Sequence, residues 1–205
     1  MKITLDNTGK KYNKEWIFKG MNLNILSPSS YVISGSNGSG KSTLLKVLSG
    51  FETPSKGVIS YENENPISVE KIHKYVAYTS PYISVFEEYT VKELVSFYTK
   101  LKPLKNNIAH SEFIEIVELK NTKEKAIKHF SSGMKQRVKL GLAILSDTPI
   151  LLLDEPTSNL DSNAILWYQN LIQKNLENRI TFVASNNQKD ESFFCEREIK
   201  IEDYK

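Results

Sequence analysis

The sequence predicts an α/β domain that combines a mixed sheet with an N-terminal antiparallel β segment and a helical subdomain inserted at roughly 82–147. Three observations carry that expectation. Short β-rich segments alternate with segments of helical period along most of the chain. The stretch PILLLDEPTSNLD at 149–161 contains four consecutive apolar residues before its first acid, the pattern of a strand buried on both faces in a parallel sheet. A length of 205 residues with 40% apolar content suits one domain, 1–205, with a sizeable core.

Taken in order, 2–6, 21–26 and 31–34 read as strands, the last running straight into the glycine-rich stretch ISGSNGSGKSTLL at 33–45. Leu44, Leu45, Val47 and Leu48 share a face of a helix over 41–49, stopped by Gly50 with Pro54 shortly after. Segments 57–61 and 74–79 read as further strands. Between 90 and 118 the period turns helical, with Val91, Leu94, Val95 and Tyr98 on one face and Phe113, Ile116, Val117 and Leu119 repeating the pattern. A helix over 132–145, the strand ending at Asp154, a helix over 163–176, a strand over 180–184 and a β-like tail over 198–201 complete the reading.

Composition excludes several function classes. The net charge of +3 is small and the lysines are scattered among acids, so no basic stripe asks for nucleic acid or an anionic membrane. A lone cysteine, Cys195, excludes an intramolecular disulfide framework and suits a reducing compartment. The N-terminus lacks the apolar core of a signal peptide, and the apolar run at 150–153 is far shorter than the ~20 residues a bilayer span needs. A soluble, cytoplasmic chain is the expectation. No repeat or heptad run is present.

The chemistry concentrates at two places. Gly35, four residues, then Gly40, Lys41 and Ser42 match the P-loop pattern between an expected strand and an expected helix, which makes the core that of a P-loop NTPase. Backbone N–H groups of Gly35, Ser36, Asn37, Gly38, Ser39 and Gly40 can converge on phosphate oxygens where no Cβ stands in the way, and the helix N-terminus adds its partial positive charge. Lys41 then reaches the β- and γ-phosphates of ATP, Ser42 ligates Mg²⁺, and Thr43 reaches the α-phosphate side. A flexible glycine turn with an exposed lysine has the same composition but does not require that context. The second place is the end of the apolar strand, where Asp154 can hold Mg²⁺ and Glu155 can polarise an attacking water, unless the pair only caps the turn before Pro156.

FSSGMKQR at 130–137 and DEPTSNLD at 154–161, together with the P-loop, make the sequence resemble the ABC-type ATPases, the nucleotide-binding subunits of ATP-binding-cassette transporters. The resemblance covers essentially the whole chain. It implies a head-to-tail dimer formed on ATP binding, a homodimer or a heterodimer with a related ATPase subunit, in which Ser131 and Gly133 of one copy close over the γ-phosphate held by the other. It also implies separate transmembrane subunits as partners, a station on the cytoplasmic face of the membrane, and no nucleic acid. Tyr12 falls where the family stacks an aromatic on adenine, although a strand tyrosine can equally pack into a core. Asp161 falls in the loop that crosses the dimer seam, a role compatible with capping the next helix. Ser131 or Ser132 can likewise serve as an ordinary helix cap.

Four departures from the family pattern bear on catalysis. Ser80 stands where a glutamine usually reaches the metal or the lytic water, and Asn186 where a histidine usually contacts the γ-phosphate. Ser132 replaces a glycine and Met134 a glutamine in the signature, and a Cβ at 132 would matter if the backbone there needed a positive φ. Lys41 and Glu155 remain, so slow hydrolysis is expected rather than none. His73, His110 and His129 read as surface or helix residues. The segment 81–90 offers Tyr82, Phe86 and Tyr89 either to a groove for a transmembrane partner or to the helical core. The functional expectation is therefore a transport ATPase; a non-transport ABC-type ATPase and a nucleotide-gated binding module without turnover are the alternatives.

Overall fold

The computed structural model describes residues 1–122, 124–186 and 189–205. Among these, antiparallel and parallel strands are kept in two separate sheets. β1 (Lys2–Tyr12), β2 (Glu15–Leu26), β4 (Lys56–Asn63) and β5 (Asn65–Ile67) form an antiparallel sheet in the order β2-β1-β4-β5. The other sheet has the order β6-β7-β8-β3-β9, all parallel, from β3 (Ser29–Ser34), β6 (Val76–Thr79), β7 (Ile150–Asp154), β8 (Ile180–Ser185) and β9 (Arg197–Lys200). The helices are α1 (Lys41–Leu48), α2 (Val91–Thr99), α3 (His110–Ile116), α4 (Ser132–Leu145), α5 (Ser162–Gln173) and α6 (Lys189–Ser192).

The apolar run of β7 is explained by what lies on either side of it. Leu151 and Leu153 face a core built with α2, α3, α4 and α5, whereas Ile150 and Leu152 face a second core shared with α1 and the antiparallel sheet. Because successive side chains of a strand point to opposite faces, a strand between two cores must be apolar at every position. β8 follows the same pattern, with Val183 on the first side and Ile180, Phe182 and Ala184 on the second, and departs from it only at the buried Thr181 and at its last residue, Ser185.

The structure departs from the sequence expectations in instructive places. β1 and β2 are longer than 2–6 and 21–26, because register shifts let β1 bend between Leu5 and Lys11 while staying paired to its neighbour. The strand expected over 74–79 begins only at Val76, because Lys74 ends a 3-10 helix, Val69–Lys74, closed by the Tyr75 N–H on the Ile72 carbonyl, with Ile72 buried. The helical block divides into α2 and α3 around a turn in which Asn106 has φ 53°. α5 stops at Gln173, and the tail leaves its strand at Ile201 for a 3-10 helix, Ile201–Tyr204. The helix over 132–145 is observed with those bounds, capped by the Ser131 hydroxyl accepting from the Met134 N–H at 3.3 Å.

At the sheet edge remote from the glycine loop, Arg179 joins α4 to β7 and β8. Its guanidinium is 2% exposed and donates to the carbonyls of Ile144 at 2.7 Å, Ser146 at 3.0 Å and Thr148 at 2.9 Å, and to the Thr148 hydroxyl at 2.9 Å. Burial lowers its pKa to about 10, so it stays cationic at neutral pH among carbonyls at a helix C-terminus. Arg179→Met would leave the Ile144 and Thr148 carbonyls and the Thr148 hydroxyl without this donor, the Ser146 carbonyl keeping the Thr148 N–H, and a loss of about 3 kcal/mol is expected, which for a chain of this size is a fall in Tm of roughly 10 °C in thermal unfolding. A Tm within about 2 °C of the parent would contradict this account of the corner.

Candidate functional site

β3 ends at Ser34 and α1 begins at Lys41, so the intervening loop presents its backbone at the C-terminal end of a parallel strand and the N-terminus of a helix. The geometry depends on bare backbone. Gly40 takes φ 114°, and a Cβ there would lie 2.3 Å from Ile17 Cγ2. Lys41 is 5% exposed and its ammonium donates to the carbonyls of Gly35 at 2.9 Å and Ser36 at 3.0 Å, folded back across the loop.

A cleft of about 380 Å³ brings Lys41, Ser42 and Thr43 together with Asp154, Glu155 and Asn186; Asn37, Gly38 and Gly40 also line it. Asp154 is 3% exposed at the end of β7. Burial raises its pKa, Glu155 adding to the effect, while the nearby Ser42 hydroxyl opposes it. Its Oδ1 is buried without a hydrogen-bond partner. A buried carboxylate oxygen left unpaired beside a serine hydroxyl is a fitting pair of hard donors for Mg²⁺. Glu155 follows with φ 45°, a costly backbone for a non-glycine residue, held by its N–H on the Ala184 carbonyl at 2.9 Å. The Asn186 amide, just past β8, donates to Glu155 Oε1 at 2.9 Å, and its own Oδ1 is buried without a partner.

Two placements differ from what the sequence suggests. Ser80 is 4% exposed and does not line the cleft; its carbonyl accepts from Lys139 Nζ at 3.1 Å and its side chain lies near the Tyr78 phenol. Pro81 and Tyr82 line the cleft instead. Tyr78 itself, which sequence reasoning missed, lies close enough to feel the Asp154 carboxyl, and burial with the Asp154 charge pushes its phenol up. A tyrosine within a four-residue strand reads as core, and no local signal marks it otherwise. Tyr12 is 43% exposed at the end of β1, so it is not a core residue; its phenol donates to Glu52 Oε2 and lies near Thr43.

A family model described as "ABC transporter" matches residues 18–158. The chain belongs to the ABC transporter family. It is 30% identical over 181 residues to the sulfate/thiosulfate import ATP-binding protein CysA of Mesostigma viride, covering 85% of this chain and spanning 52%, about half, of that relative's length. Among solved structures, a putative ABC transporter ATP-binding protein from Pyrococcus furiosus superposes with a TM-score of 0.82 at 24% identity, covering 100% of this chain and 99% of that one. An ATP-binding cassette dimer in a post-hydrolysis state bound to ADP and Pi superposes with a TM-score of 0.80 at 23% identity, covering 97% and 94%. At these identities the superpositions speak for the fold.

In this ABC transporter-family chain, Ser131 and Gly133 lie away from the phosphate loop. They line a separate cavity of about 700 Å³ with Asn159 and Asp161, and no residue lines both it and the cleft. Ser132 opens α4 in helical backbone and is not among the positive-φ residues, so its Cβ brings no strain there. Asp161 caps α5, accepting from the Ala164 N–H at 2.8 Å. Tyr82 is 88% exposed and Phe86 55%, and Phe86 stacks on Tyr89 at 5.3 Å and meets Phe97 edge-on at 5.2 Å, so the 81–90 segment presents aromatic surface rather than core. The three histidines do not line the cleft. Burial pushes the Cys195 thiol up to about 12, which keeps it unreactive. No helix among the described residues is long and apolar enough to cross a membrane.

Proposed function

We propose that the chain is an ATP-binding and hydrolysing subunit, a single nucleotide-binding domain over 1–205, that powers transport through separate membrane subunits by ATP-driven head-to-tail dimerisation. One observation carries the reading: a lysine ammonium, an unpaired metal-competent carboxylate oxygen and a glutamate oriented by an amide meet in one cleft at the carboxyl ends of parallel strands. In this reading Lys41 exchanges the Gly35 and Ser36 carbonyls for phosphate oxygens, Asp154 and Ser42 hold Mg²⁺, which supplies charge neutralisation on the phosphates, and Glu155 orients the attacking water. Tyr12 offers its ring to adenine. Ser131 and Gly133, remote from their own phosphate loop, serve the partner's. The CysA relative is named for import and the neighbouring cassette structure is described as dimeric, which supports this assignment. The exposed aromatic surface of Tyr82, Phe86 and Tyr89 is the surface we assign to the membrane partner, on the cytoplasmic face.

Turnover is proposed to be slow. The Asn186 amide can orient Glu155 but cannot carry a proton, and Ser80 is buried and does not line the cleft. Asn186→His is expected to raise the steady-state rate of phosphate release several-fold, by about tenfold at most, while leaving ATP affinity unchanged. An unchanged rate would count against the place given to Asn186. Wild type releasing phosphate no faster than Glu155→Gln, even with its membrane partner in bilayers, would leave a nucleotide-gated binding module as the surviving reading.

A further inference from the structure

The glycine loop is gripped from outside by the turn that follows β9. There the backbone enters the 3-10 helix Ile201–Tyr204, whose Ile201 is fully buried. The Ser36 N–H donates to Glu202 Oε1 at 2.9 Å, and the Ser36 hydroxyl donates to the same oxygen at 3.3 Å. Lys205 Nζ donates to the Ser39 carbonyl at 2.8 Å. Gly35 makes this approach possible: a Cβ on it would lie 2.6 Å from Ile201 Cγ2 and 2.8 Å from Glu202 Oε1. The glycine that begins the phosphate loop is thus bare on the side facing this turn.

A carboxylate on this loop has two opposite effects. It fixes the Ser36 peptide, whose neighbouring carbonyls hold Lys41, and so shapes the stretch of backbone meant for phosphate. It also places a negative charge where a polyanion is to bind, close enough to interact with the Lys41 ammonium. The Ser36 N–H, chiefly, keeps the Glu202 carboxyl below the usual range, so the charge is present at neutral pH.

We infer that Glu202 is a positioning residue for the phosphate loop whose hydrogen bond orders the loop and whose charge holds down its affinity for polyphosphate. The inference rests on the ATP-binding reading of the cleft. Two substitutions separate the effects, because Glu202→Gln keeps an acceptor for the Ser36 N–H without the charge and Glu202→Ala removes both. In titrations at low salt, Glu202→Gln is expected to bind ATP about threefold tighter than wild type, with a smaller gain for ADP, and the gain is expected to vanish near ~0.5 M salt as charges are screened. Glu202→Ala is expected to bind ATP about threefold or more weakly than Glu202→Gln at every salt concentration. A purely structural role would not produce a dependence on ligand charge and salt. Glu202→Gln matching wild type at low salt, or Glu202→Ala matching Glu202→Gln, overturns the inference. Failure of the underlying reading is seen separately, as absence of ATP binding by wild type. Thermal unfolding checks each variant, and if Glu202→Ala is unfolded the salt series on Glu202→Gln decides.

Discussion

Lys41→Ala is expected to abolish ATP binding at concentrations that saturate the parent. The ammonium is buried at 5% exposure and already makes two hydrogen bonds to loop carbonyls, so it is held over the loop before any ligand arrives. A charge-assisted hydrogen bond in such a setting contributes about 1.5–3 kcal/mol, and losing two to phosphate oxygens removes about 3 kcal/mol or more, an affinity loss beyond roughly a hundredfold. The same substitution leaves the Gly35 carbonyl without its donor and the Ser36 carbonyl with the Ser39 N–H alone, so the loop itself loosens. Isothermal titration with ATP, alongside circular dichroism to confirm the fold, checks the expectation. Affinity retained within about threefold would remove the phosphate-loop assignment.

Glu155→Gln is expected to stop phosphate release while trapping an ATP-bound dimer. Glutamine keeps an oxygen for the Asn186 amide, and the backbone bond to Ala184 is untouched, so the cleft keeps its shape. What disappears is the ability to take a proton from water, a contribution of about 10²–10⁴ in rate. Binding without turnover then accumulates the closed state, visible as a dimer in size exclusion with Mg-ATP and as monomer without it. Monomers at saturating Mg-ATP would contradict a site shared between two copies.

Much of this architecture is legible along the chain because local and global demands agree. The run at 150–153 is apolar at every position because β7 is flanked by two cores, and α4 starts where Ser131 can accept from Met134. Lys41, Asp154, Glu155 and Asn186 are readable as candidates, since their place at strand ends and a helix start is written in the adjacent residues. The parts that escape notice come from distant pairings. Glu202 and Lys205 reach the phosphate loop across a separation of 166 residues, and Tyr78 gains its meaning only when β6 is laid beside the end of β7. The 3-10 helix at Val69–Lys74 has no helical period to announce it, and its one buried residue, Ile72, is set by tertiary contact.

The left-handed backbone at Glu155 has a consequence for how this protein balances durability against work. A side chain with a Cβ held at φ 45° costs of order 1 kcal/mol that a glycine there would recover. The most stable version of this turn is therefore one with no carboxylate to aim, and the residue that aims it stays at the expense of the fold's own robustness.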